Sequence, residues 1–394
     1  MSPSTESDVL ARALRAFRPE ILREQPYVVG GLASPEVKLN QNESPFDLPR
    51  EVKEMLFEAF LETPFNRYAT EQPFRLRAAL AERHGVSPES IVVGNGSNEL
   101  TYTLGLCFIA PGSTVVLPAP MFALFEKVVH LYGGCLLKVP PRADLSFDVD
   151  ALEAAIRAEK PSYTVVATPN NPTGLALTPA DVERLAAASE GMLVVDEAYA
   201  EFVPETPSAI GLIERYPNML VMRTFSKAFG LAGLRVGYLV GHPDVMRELM
   251  KSRLPFMVDP IAEHVALWLC GHDERVREIA ADLRLRTQRL RRDATERPGV
   301  ESLPTEANFF LLRLGGFDGP GLQAAFAAQG VSVRTMHAYP ELPGCVRVSC
   351  GTEAENRRFL AALDVLAARA PHPAPVDDSA PPRTAPTEDG FYSG

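Results

Sequence analysis

Nothing in the 394-residue sequence approaches the roughly 20 consecutive apolar residues needed to span a bilayer. The opening stretch, MSPSTESDVLARALRAFRPE, is charged and lacks a continuous apolar core, so no signal peptide is expected there. Cysteine spacing is uninformative in a useful way. Cys107, Cys135, Cys270, Cys345 and Cys350 are odd in number and contain no CxxC pair. They read as reduced thiols packed as small hydrophobes, in a cytoplasmic protein. An excess of basic charge is also missing. Lys and Arg total 39 against 50 Asp and Glu, a formal net charge of −11. Nucleic acid and anionic membranes are therefore not expected as general partners, although a local basic pocket remains open. The seven histidines show no metal-like spacing, so no metal site is expected. No GxxxxGK[ST] loop and no internal repeat occur. Gly94-Asn95-Gly96-Ser97-Asn98-Glu99 begins like a dinucleotide fingerprint but carries Glu99 where a third small residue is required.

What is present is ordinary for a soluble globular enzyme, 46% hydrophobic and 23% charged. From Val52 onward, helical spacing alternates with short apolar, β-branched runs: 91–93, 114–117, 163–167, 192–195, 220–223 and 236–240. Such runs imply parallel strands covered by helices on both faces. After Pro260 the pattern changes to two helices (261–270 and 273–292) followed by strand-like pieces at 308–314, 331–334 and 345–349. The expected fold class is α/β: a large, doubly wound, mostly parallel sheet domain plus a smaller α+β domain. The expected limits are an N-terminal arm at 1–35, a large domain at 36–260, a small domain at 261–370 and a disordered tail at 371–394. The tail is rich in Pro, Ala, Ser and Asp and has too little apolar surface to offset its ordering entropy.

Open parallel sheets bind ligands outside the carboxyl ends of their strands. Polar residues collect there. Val93 leads into Gly94–Glu99, Ala167 into Thr168–Gly174, Val195 into Asp196–Tyr199, and Arg223 into Thr224–Lys227. A neutral lysine can form a Schiff base with pyridoxal 5′-phosphate (PLP), which acts as an electron sink. A carboxylate such as Asp196 would keep the cofactor's pyridine nitrogen protonated. A Tyr or Asn would hydrogen-bond the ring oxygen. Gly96-Ser97 opening a helix, with Thr224, Ser226 and Arg235, would suit a phosphate.

The stretch Thr224–Tyr238, TFSKAFGLAGLRVGY, resembles the PLP-lysine signature of fold-type I aminotransferases, and Arg235 lies eight residues after Lys227, as in that signature. Asn170-Asn171-Pro172-Thr173-Gly174 and Asp196-Glu197-Ala198-Tyr199 resemble two further motifs, in the right order. Within this family the chain most resembles the histidinol-phosphate aminotransferases, on Lys38–Phe46 and Arg347–Thr352. The resemblance spans roughly Tyr27 to Leu366.

It implies that Lys227 carries PLP and shuttles the proton at Cα. Asp196 would pair with the pyridinium, and Tyr199 and Asn171 would contact the ring oxygen. Phe122 would stack on the ring. Gly96, Ser97, Thr224, Ser226 and Arg235 would hold the phosphate, with Asn98 beside them. Tyr68 would reach the phosphate site of a neighbouring subunit, which implies a homodimer with shared active sites. Arg347 would clamp the substrate carboxylate, a bidentate task suited to guanidinium, while Tyr27 and Arg334 would lie near the substrate phosphate. The implied partners are a small-molecule amino donor and a 2-oxo acid, L-histidinol phosphate and 2-oxoglutarate.

Departures from the family pattern are Tyr68-Ala69-Thr70, Asn98 where Asp is common, Phe122 for the usual Tyr, and Cys350 after Ser349. None removes a catalytic group. An aromatic amino-acid aminotransferase and a threonine-phosphate decarboxylase remain alternatives, since an Arg-lined pocket accepts phosphate or carboxylate. Taken singly, the same residues have plainer readings: Asp196 as a helix cap, Asn-Pro-Thr-Gly as a turn, and Tyr199 and Phe122 as half-buried core. Asn308 reads equally as a substrate neighbour or a strand-start turn residue. His84, before Gly85, reads as a helix C-terminus that favours a protonated imidazole. A catalytically dead sensor would be expected to lose Lys227 or Asp196.

Overall fold

The structure, a computed structural model, describes residues 6–26 and 34–369. Tyr27 and the expected tail lie outside the described residues. The first strand, β1 (Val37–Lys38), is short. Seven strands then form one sheet: β2 (Ile91–Gly94), β3 (Thr114–Pro118), β4 (Cys135–Val139), β5 (Tyr163–Ala167), β6 (Met192–Asp196), β7 (Met219–Thr224) and β8 (Gly237–Gly241). Their order is β2-β8-β7-β6-β5-β3-β4. Only β8 runs against its neighbours. The rest are joined by helical crossovers, the α/β pattern that the alternating runs imply.

Alternate residues of these strands feed two apolar layers. Val93, Val116, Val166, Val195 and Val221 enter one. Val92, Val115, Val165, Val194 and Leu220 enter the other. Helix starts are well defined. Thr178 and Asp181 form a reciprocal capping box on the helix Pro179–Ala188, and Asp259 caps Pro260–Cys270 with its carboxylate. Sequence patterning misses β4, a largely exposed strand at the edge of the sheet, and the helix Val149–Glu159.

The remaining strands are β9 (Val300–Ser302), β10 (Phe309–Leu314), β11 (Val331–Ser332), β12 (Arg334–Thr335) and β13 (Val346–Ser349). Four of them make an antiparallel sheet in the order β12-β13-β10-β9. β1 pairs with β11, so Val37 and Leu39 pack with Phe310, Phe359 and Leu363 in a third apolar cluster. Helix Pro260–Cys270 instead joins the layer under the first sheet. Packing thus cuts across the division expected at 36–260 and 261–370. Strand pairing is non-local, whereas the composition shift after Pro260 is a local signal.

His84 does end the helix Phe74–His84, capped by Gly85 at φ 65. Its charge differs from expectation. Burial, then the nearby Arg223 cation, pulls its pKa down to about 3. The neutral ring shares a 2.9 Å hydrogen bond with the Tyr238 hydroxyl.

Phe359 is fully buried and stacks on Phe326 with centroids 5.2 Å apart. Phe359→Ala is expected to destabilise the protein by about 3–5 kcal/mol through the cavity it leaves, read as a lower urea midpoint.

Candidate active site

The carboxyl ends of β5, β6 and β7 deliver three polar turns to one place. The sharpest constraint comes from Gly237 of β8, which pairs with Gly94 on one side and Thr224 on the other. A Cβ on Gly237 would lie 2.5 Å from the backbone nitrogen of Ser97. The absence of a side chain therefore lets the helix Gly96–Phe108 seat its N-terminus directly on the sheet. Gly96 has φ +77, and a Cβ there would strike the Arg235 guanidinium at 2.3 Å. Arg235 Nη1 donates to Ser226 Oγ at 3.3 Å, and Thr224 Oγ1 donates to Ser226 Oγ at 3.0 Å. Gly96, Ser97, Thr224, Ser226 and Arg235 are thus brought together as a helix N-terminus faced by hydroxyls and a cation, a donor set suited to a phosphate. Glu99, the residue that breaks the dinucleotide pattern, is held by Arg253 at 2.6 Å. Asn98 is exposed on the same helical turn.

Lys227 follows β7. Its Nζ donates to the carbonyl of Gln41 at 3.0 Å and lies 5.7 Å from the centre of the Tyr199 ring. Burial, then the Arg347 cation, with Arg235 adding to it, draws the amine down to about 7. A useful fraction is therefore an unprotonated nucleophile near neutral pH. Asp196 ends β6, accepts the Ala198 N–H at 3.0 Å, and is pushed up to about 7, chiefly by burial. The turn it begins is braced from below. Arg223 bridges Glu197 at 2.7 Å and Glu201 at 2.8 Å. Burial opposes the Arg223 charge, and the two carboxylates outweigh that opposition.

Asn171 follows β5. Its Oδ1 accepts from Arg347 Nη1 at 2.6 Å. The neighbouring Asn170 turns the other way and donates to Pro120 O and Thr173 Oγ1. Gly174, at φ +78, passes so close to Thr305 that a Cβ would meet its Oγ1 at 2.1 Å. Arg347 also donates to the Asn40 carbonyl at 3.1 Å and lies over the Phe309 ring at 5.3 Å. Directly across the strand pair stands Arg334. Residues opposite each other on paired strands share a face, so two guanidinium groups project from the same side.

Two further expected residues make aromatic contacts of their own. Phe122 is half-buried at the start of the helix Ala123–Tyr132, with its ring edge-on to Phe125. Tyr68 is 86% exposed and stacks on Phe256. Conversely, sequence reasoning missed Asn40, Gln41 and Asn42 as neighbours of Arg347, Lys227 and Tyr199. The visible signal was a run of polar residues, Asn40 to Ser44, between the apolar Leu39 and Phe46. Asn308 is buried in the bend just before β10 and donates to the Asn42 carbonyl at 3.2 Å.

Residues 34–363 match the model of aminotransferase class I and II. The chain belongs to the class I and II aminotransferase family. A histidinol-phosphate aminotransferase of Chlorobaculum tepidum is 37% identical over 350 residues, covering 89% of this chain and all of the relative. A crystal structure of histidinol-phosphate aminotransferase from Sinorhizobium meliloti, in complex with pyridoxal 5′-phosphate, superposes with TM-score 0.81 at 28% identity, covering 90% of this chain and 98% of that one. An L-threonine-O-3-phosphate decarboxylase from Porphyromonas gingivalis shares the fold at TM-score 0.75 and 24% identity, covering 84% and 99%. The aminotransferase is PLP-dependent, and its donor set fits that cofactor: a near-neutral amine, a buried carboxylate raised to about 7, and a phosphate cradle that a Cβ at Gly96 would fill.

Asp196 titrates higher when folded than when unfolded. Its burial therefore lowers the stability of the cofactor-free protein as pH rises from about 4 to about 7, and the loss is complete above 7. Asp196→Asn removes that loss. It is expected to raise the melting temperature of cofactor-free protein by a few degrees at pH 8, with the difference shrinking as pH falls toward 4.

Proposed function

We propose that this aminotransferase transfers the amino group of L-histidinol phosphate to 2-oxoglutarate, giving imidazole-acetol phosphate and L-glutamate, a step of histidine biosynthesis. The observation that carries the reading is the Arg334–Arg347 pair. Two guanidinium groups on one face of paired strands bring several N–H donors and two positive charges to one place, a set that suits a phosphate or carboxylate. L-Histidinol phosphate has a phosphate and no α-carboxylate, whereas 2-oxoglutarate brings carboxylates. One two-arginine site serves both halves of a ping-pong exchange. Tyr27 is assigned to the phosphate alongside Arg334. The names carried by the relatives support the same substrate.

Bound here, PLP supplies an electron sink for the electrons left when Cα of the amino donor loses its proton. Lys227 Nζ is the attachment point and the base at Cα. A pKa of about 7 lets it take and return a proton without a large penalty. Asp196 supplies the anion for the pyridine N–H, and that proton in turn relieves its buried charge. Tyr199 and Asn171 face the ring oxygen, and Phe122 offers a π-face to the ring. Gly96, Ser97, Asn98, Thr224, Ser226 and Arg235 hold the phosphate.

The working form is proposed to be a homodimer. The helix Arg50–Leu61 has no fully buried residue, and within the chain only Leu56 of its side chains packs against the main apolar core among the described residues. Phe57, Phe60 and Phe65 form an exposed aromatic ladder with centroids 5.7 and 4.9 Å apart. A second copy covering this face would take up Tyr68, whose hydroxyl would then serve the other subunit's phosphate cradle. Such an apolar patch suits a permanent interface. Five free cysteines support a cytoplasmic location.

Addition of L-histidinol phosphate alone to PLP-loaded protein is expected to convert the visible band to the pyridoxamine form. A band that stays unchanged with this donor but responds to phenylalanine, or a release of CO2 from threonine phosphate, would overturn the substrate. Lys227→Ala is expected to bind PLP noncovalently and to lose turnover by at least about a thousandfold; near-wild-type turnover would overturn the assignment of the lysine. Phe65→Glu is expected to shift the protein to monomer in sedimentation equilibrium and to lower activity in parallel.

A further inference from the structure

Asn42 has φ 55 and is 1% exposed, a left-handed backbone that asparagine tolerates better than most residues. Four hydrogen bonds hold it. Its N–H donates to Ser349 Oγ at 2.8 Å, and its carbonyl accepts from Asn308 Nδ2 at 3.2 Å. Ser349 Oγ donates to Asn42 Oδ1 at 3.1 Å, and Asn42 Nδ2 donates to the Tyr199 hydroxyl oxygen at 2.9 Å.

These bonds have a fixed polarity. A backbone N–H can only donate, so Ser349 Oγ accepts from it and sends its own proton elsewhere. That proton goes to Oδ1 of the Asn42 amide, which makes the other end of the amide the NH2 group. The Tyr199 oxygen therefore receives a proton donor from Asn42, and its own proton must point in another direction.

We propose that Asn42 is a positioning residue that fixes the Tyr199 hydroxyl as a donor into the site; this rests on the reading that Tyr199 faces the cofactor ring oxygen. A donor on that oxygen draws off negative charge that would otherwise hold a proton on the adjacent Lys227 nitrogen. Asn42 thereby lowers the pH at which that nitrogen loses its proton. Its anchor, Ser349, lies two residues from Arg347 on β13, on the same face of the strand.

Replacing Asn42 by Asp keeps a residue that tolerates the left-handed backbone but turns the donor into an acceptor. Tyr199 would then donate to the new carboxylate. The test is a pH titration of the visible band of holoenzyme for wild type, Asn42→Asp, Tyr199→Phe and the double variant, with PLP affinity of the cofactor-free proteins measured by fluorescence. Asn42→Asp is expected to raise the midpoint by about one pH unit, tenfold in proton affinity, and to weaken PLP binding severalfold. In the Tyr199→Phe background it is expected to add no further shift. A wild-type midpoint in Asn42→Asp overturns the inference. So does an equal shift with and without Tyr199, which would mark a direct charge effect. If Asn42→Asp does not fold, Ser349→Ala frees the amide to turn over and is expected to raise the midpoint by a smaller amount; an unchanged midpoint there overturns the inference too. A Tyr199→Phe midpoint equal to that of wild type would instead remove the underlying reading of Tyr199.

Discussion

A partly buried lysine amine feels the positive charge of two guanidinium groups, and the rest of the site is arranged around that fact. Burial and the Arg347 and Arg235 cations all disfavour charge on Lys227. The Gln41 carbonyl gives the amine a neutral acceptor, so the nitrogen stays ordered without a counter-ion at contact distance. Asp196 carries the mirror-image strain, a carboxyl whose charge is disfavoured by burial. Neither state serves a bare protein. Each becomes favourable once a group arrives that takes the amine covalently and offers the carboxylate a cationic N–H. The cofactor-free fold stores an unfavourable electrostatic arrangement that binding resolves, a pattern common to functional sites.

Most of the sheet was legible because buried parallel strands need continuous apolar, β-branched runs, and those runs stand out between polar turns. Tyr163–Ala167 is read from the sequence with the same limits the structure gives it. The turns after these runs hold the polar residues, so Lys227, Asp196, Asn171 and the Gly96–Ser97 helix start are legible as candidates from the sequence. What stayed hidden depends on non-local pairing. Nothing in Val37–Lys38 announces that it pairs with Val331–Ser332. The neutral state of His84 follows from burial beside Arg223, more than a hundred residues away in sequence. Tyr68 shows the same limit in another form. Its motif is local, but within the chain it is an exposed ring on Phe256.

The segment Asn40–Asn42 shows how the two sheets come to share one site. Three consecutive residues reach three reactive side chains: the Asn40 carbonyl to Arg347, the Gln41 carbonyl to Lys227, and the Asn42 amide to Tyr199. Two of these contacts use backbone oxygens, which any residue could supply. Their placement therefore depends on chain path rather than side-chain identity. That path is set by β1, whose pairing with β11 ties the segment to the second body. The Asn42 N–H bond to Ser349 ties it again at the far end. Lys227 and Tyr199 come from the first sheet and Arg347 from the second, so the segment is a seam between them. A displacement of the second sheet would shift the acceptor of Lys227 and the donor on Tyr199 together. The first sheet and Arg347 of the second are linked through this segment and through the hydrogen bond from Arg347 to Asn171.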